Sequence, residues 1–161
     1  MGMRLLVLLL LCLLVASRVS AAPWTGYVVN VEDGNTVTVS TKADARKADF
    51  VLRFYGIGAP TLRQPFGKEA CAYLREMLPK GTKVGVDIVE EEKDGSIRAL
   101  VQVRGDSVNY QLVAQGLAWV DRQSCKAIFC RRWYIQEHQA VQERRGIWRL
   151  NLGTPPWQWG R

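Results

Sequence analysis

A chain of 161 residues with 22 Lys+Arg against 15 Asp+Glu, a formal net charge of +7, has the size of one domain and a mildly basic balance. No repeat, low-complexity stretch or long linker divides it, which excludes a chain of several folding units. The cationic surplus suits an anionic partner such as nucleic acid, although solubility alone also accounts for it.

The first segment reads as a targeting signal. Arg4 precedes an apolar run from Leu5 to Ala16, and the small residues Val19 and Ala21 place a cleavage point after Ala21. The run is shorter than the ~20 residues a helix needs to cross roughly 30 Å of hydrocarbon. An uncleaved anchor is the alternative, disfavoured by Arg18 close behind the run. Cleavage predicts a secreted or periplasmic monomer, free of the membrane, in which residues 22–161 form a single domain with a Pro/Trp-rich tail. Removing Arg4 and Arg18 leaves 20 cations against 15 anions, or +5.

In "GYVVNVEDGNTVTVS" valines alternate with polar residues on either side of Asp33-Gly34-Asn35, which predicts two strands joined by a tight turn. "FVLRFYGI" predicts a third strand. Pro65 to Leu78 predicts a helix, with Pro65 pre-setting its first turn and Pro79-Lys80-Gly81 stopping it. "TKVGVDIVE" and "IRALVQV" predict strands four and five around a Lys93-Asp94-Gly95 turn. Two further helices are predicted near Val108 to Gln115 and near Phe129 to Arg145. The second carries Trp133, Ile135, Ala140, Val141 and Trp148 as anchors and ends at Gly146. Five strands with about three helices, one of them between strands three and four, fit a closed OB-fold barrel. A generic α+β sandwich gives a similar string.

Cys71 repeats with Leu74 and Leu78 at helical spacing and reads as a buried small hydrophobe. Cys125 and Cys130 flank four residues and, in an oxidising compartment, can close a small loop. A zinc site would need two more ligands, and His138 is the only histidine.

The stretches "VVNVEDGNTVTV", "LRFYGIGAPTLRQPFGKEA", "VNYQLVAQGLAWVDRQSC", "CRRWYIQEHQAVQERRGIW" and "PPWQWGR" together resemble the staphylococcal-nuclease-like (thermonuclease) family, in particular its secreted bacterial branch. They run in family order over nearly the whole chain behind the signal. The resemblance implies an OB-fold barrel and a calcium-dependent phosphodiesterase acting on DNA and RNA. Such chemistry needs carboxylate oxygens to hold the cation, a general base, and guanidinium groups on the phosphoryl oxygens.

The family's Asp-Gly-Asp-Thr turn is here Asp33-Gly34-Asn35-Thr36, so Asn35 replaces a metal aspartate. In the loop that follows, Gly58 stands at the second metal aspartate and Thr61 at the glutamate proposed as base. Arg53 matches the first arginine. Ser96 falls where the second belongs, Asp94 where a nucleotide-contacting tyrosine belongs, and Lys93 matches a basic neighbour. Four of these five principal positions are changed, and each change removes a charge.

The expected product is a degenerate nuclease that binds nucleic acid through Arg53, Lys93 and Arg98, or binds a protein partner. The alternatives are an active calcium-dependent nuclease, with Asp33 and Asn35 on the metal and Arg53 and Arg98 on phosphate, and an interaction module without affinity for nucleic acid. Arg53 reads equally well as a phosphate ligand or as the partner of an acid on the rim. Arg131-Arg132 and Arg144-Arg145 read as a solvated helix face balanced by Glu137 and Glu143. Trp157 and Trp159 are the tryptophans expected to be exposed, and His138 is expected on the surface.

Overall fold

The computed structural model describes residues 23–150 and 154–159; the expected signal segment lies outside the described residues. Five strands form the barrel: β1 (Trp24–Val31), β2 (Thr36–Ser40), β3 (Phe50–Phe54), β5 (Lys83–Glu91) and β6 (Ile97–Val103). They run β3-β2-β1-β5-β6 with antiparallel neighbours, and parallel pairing of Leu52, Arg53 and Phe54 with Ile97, Arg98 and Ala99 closes the cylinder. Period-two patterning fills it: Ile97, Ala99, Val101 and Val103 of β6 point inward, as do Val37 and Val39 of β2. In β1 the register slips between Val28 and Asn30, so Val28 and Val31, three apart, both reach the core.

"FVLRFYGI" is not one strand. β3 stops at Phe54 because the chain turns at Gly56 in the left-handed region (φ +73°), where an added Cβ would lie 2.7 Å from Cys125 Sγ. Ile57–Gly58 (β4) then pairs with Trp119–Val120 (β8) as a separate two-stranded sheet. β7 (Asp106–Ser107) extends the edge of β6.

Helix α1 (Gly67–Met77) buries Ala70, Cys71 and Leu74 and opens two residues after Pro65, behind Phe66 in a left-handed turn. Cys71 is buried and unpaired, and burial pushes its thiol up. Helix α2 (Val108–Ala114) is capped by the Ser107 hydroxyl, which accepts from Tyr110 N. Helix α3 (Cys130–Gln142) is tied to the preceding loop by the Cys125–Cys130 disulfide.

Only part of the expected anchor set of α3 is buried. Cys130, Trp133, Glu137 and Ala140 form its inward stripe at helical spacing, which leaves Ile135 and Val141 on the outer face, 61% and 42% exposed. Trp148 lies beyond the helix in a 3-10 turn, Gly146–Leu150.

Candidate nucleic-acid site at the barrel mouth

Backbone pairing assembles the rim. Thr36 stands opposite Arg53, and Phe54 N donates to Asn35 O at 3.0 Å, so the β1–β2 turn and the end of β3 are neighbours. Asn35 N donates to Asp33 Oδ1 at 2.7 Å, an Asx turn that fixes the Asp33 carboxylate. The next loop is held by buried amides. Asn109 donates to Tyr55 O (3.0 Å) and Ala99 O (3.2 Å) and accepts from Val101 N (3.0 Å); Gln64 Oε1 accepts from Thr61 N at 2.8 Å.

The charged groups on this frame bind one another. Arg53 sets Nη1 on Glu92 Oε2 at 2.8 Å and Nη2 on Asp94 Oδ2 at 3.1 Å. Arg98 donates from Nε to the other oxygen of Glu92. Ser96 donates its hydroxyl (2.6 Å) and its N–H (3.0 Å) to Asp94 Oδ1. The Arg98 hydrogen bond and the two guanidinium charges hold Glu92 below its usual range, and the bonds from Ser96 do the same for Asp94. Two cations and two anions thus cancel where the family resemblance predicts a phosphate.

Arg53 therefore pairs with acids on the rim, and Arg98 joins the same network, whereas exposed Lys93 makes no ion pair among the described residues. No local pattern links Glu92 to Arg53, since 39 residues separate them. The acidic run Glu90-Glu91-Glu92 before the turn was the available signal.

The residues present do not fit calcium. Asn35 Oδ1 is enclosed without a hydrogen-bond partner, but it is a single neutral oxygen. Gly58 offers no ligand, and a Cβ built there would lie 2.6 Å from Trp157 Cζ3 and 3.0 Å from Pro156 Cγ. Among the described residues no three His, Cys, Asp or Glu side chains converge as a metal site.

The helical half carries a second charged pair. Glu137 is buried; it accepts from Val120 N at 2.8 Å and from Arg122 at 2.7 Å, joining α3 to β8. Burial pushes its carboxyl up against the opposing pull of those bonds. Glu137 does not balance Arg131, Arg132, Arg144 or Arg145 as the sequence suggested, because it points inward. Arg145 pairs with Glu143 instead, and Arg132 lies 5.7 Å from the centre of the Tyr110 ring. His138 is exposed and meets Gln142. Trp119 and Trp148 pack edge to face at 6.0 Å, while Trp157 and Trp159 are 39% and 47% exposed.

Known proteins agree with this architecture. The family described as Staphylococcal nuclease homologue matches residues 51–150. An Escherichia coli protein named an uncharacterized endonuclease is 31% identical over 136 residues, covering 83% of each chain. A Haemophilus influenzae protein of the same description is 30% identical over 160 residues, covering 98% of this chain and 84% of its own. A Shigella flexneri micrococcal nuclease is 28% identical over 159 residues, covering 92% and 87%. Barrel, rim loops and relatives together place this chain in the staphylococcal nuclease family.

Proposed function

We propose that this is an exported thermonuclease-fold domain that does not hydrolyse phosphodiesters and serves as a binding module for nucleic acid. The observation that carries the reading is the rim network: Arg53, the catalytic-position arginine that remains, is engaged by Glu92 and Asp94. Around it, Asn35, Gly58, Thr61 and Ser96 supply neither metal carboxylates, nor a base, nor a second guanidinium. Loss of a general base costs about 10²–10⁴ in rate and loss of one charge-stabilising donor about 10²–10³. These factors do not multiply simply, yet the larger alone removes most of the catalysis. Binding is left to unpaired Lys93 and the general basic surplus, so it should be weak and steeply salt-dependent.

The names of the relatives favour a second reading, an active nuclease with a rearranged site. Asp33 and Asn35 would then hold calcium, and Arg53 and Arg98 would have to leave Glu92 for phosphate. Incubating the mature protein with DNA and with RNA, with and without calcium, decides between them. We expect no cleavage and retention of nucleic acid at low salt only. Calcium-dependent cleavage that disappears in Arg53→Ala would establish the nuclease, and undetectable binding at low salt would leave a protein-interaction module.

A further inference from the structure

Residues 156 and 157 lie on Gly58, a rim position that has no side chain. Trp157 and Pro156 pack against Gly58 so closely that no side chain fits beneath them, and the indole of Trp157 fills the space a residue at 58 would take. Trp119 stands opposite Gly58 in the β4–β8 pair, and Trp159 lies near Gln64, Pro65 and Trp119.

The segment is held in an unusual way. Its backbone bonds are internal, Gln158 N to Pro155 O at 2.9 Å and Trp159 N to Pro156 O at 3.3 Å. Among the described residues, none of residues 154–159 makes a hydrogen bond or ion pair to the barrel or helices. A cleft of about 390 Å³, lined by Asp121, Arg122, Trp148, Pro155 and Trp157 among others, remains between tail and domain. A segment seated by side-chain packing alone, over an incompletely filled cleft, opens far below the cost of global unfolding.

We infer that the Gly58 face is a binding site for a planar aromatic ring, occupied in cis by Trp157, and that a base of single-stranded nucleic acid enters it by displacing the tail. The shape of the site is set by the indole it holds. The cationic surplus of the chain selects, among planar rings, one carried on an anionic backbone. Stacking of this kind is tolerant of sequence, so the site would take pyrimidines and purines alike. The inference rests on the nucleic-acid-binding reading and adds that apparent affinity is lowered by the fraction of molecules whose tail is closed.

Two variants test it, each with its own readout. Gly58→Val removes the seat, and chymotryptic cleavage after Trp157 should accelerate about tenfold or more, as expected when a closed segment becomes open. Trp157→Ala removes the occupant, and its Kd for fluorescein-labelled oligo(dT) at low salt should fall about fivefold or more relative to wild type. Far-ultraviolet circular dichroism verifies that both variants are folded. Unchanged cleavage in Gly58→Val overturns the inference whatever binds. Accelerated cleavage with equal oligo(dT) affinity in wild type and Trp157→Ala also overturns it, while leaving the binding reading intact. If neither protein binds oligo(dT), the binding reading fails and the inference fails with it.

Discussion

The rim and the joint between α3 and β8 each pair arginine with glutamate, but to opposite ends. At the joint, Glu137 is buried and spends its carboxylate on Val120 N and on Arg122, so the acid fastens two elements. At the rim, Glu92 and Asp94 are half-buried or exposed and engage Arg53 and Arg98, which water reaches. One pair locks secondary-structure elements together from inside, and the other holds solvent-reached guanidinium groups in place; on the proposed reading the second also keeps them from phosphate.

The largest expected loss lies at the buried amide that holds the rim loop. Asn109 is fully buried and serves three backbone groups, holding the loop that carries Gly58 against β6. Asn109→Ala should destabilise the domain by about 3 kcal/mol, because at least one backbone group is left buried and unpaired; urea denaturation would show the drop in midpoint. Glu137→Ala orphans Val120 N and should cost about 2 kcal/mol by the same argument. Arg53→Ala breaks pairs that water reaches and should change stability by less than about 1 kcal/mol. If Arg53→Ala destabilised as much as Asn109→Ala, the rim would be structural and the contrast would collapse.

The acid dependence sharpens the contrast by sign. Burial raises Glu137 above its ordinary value of 4.5, so its contribution is fully present below that value and is lost as pH rises through the folded pKa. Glu92, lowered by Arg98 and Arg53, contributes above its ordinary value and loses that contribution as pH falls through the folded pKa. Thermal midpoints measured from pH 3 to pH 7 should therefore lose their low-pH fall, in part, in Glu92→Gln. In Glu137→Gln they should lose, in part, a decline toward neutral pH. The Glu92 effect is the smaller, because water screens it.

Much of the barrel was legible from valine alternation and from the turn at Asp33-Gly34-Asn35, since period two and turn chemistry are local signals. The disulfide and the burial of Cys71 were legible for the same reason. The break at Gly56 was not, because a left-handed glycine inside an apolar run looks like a continuing strand until Cys125 is seen packed against it. The exposure of Ile135 and Val141 was not, because α3 has a partner on one face alone. At the rim, the engagement of Arg53 by an acid was one of two readings open along the chain, and the structure shows it. The acids that neutralise Arg53 and the tail that seats on Gly58 could not be read there, since those contacts join segments far apart in sequence.

Calcium titration by calorimetry reaches the proposal at its root, because the hydrolysis that the family resemblance implies needs a cation held by oxygen ligands. The mature protein should show no saturable uptake at millimolar calcium, and an Asn35→Ala variant should give the same flat trace. Uptake of one calcium per chain by the wild type, lost in Asn35→Ala, would contradict the proposal.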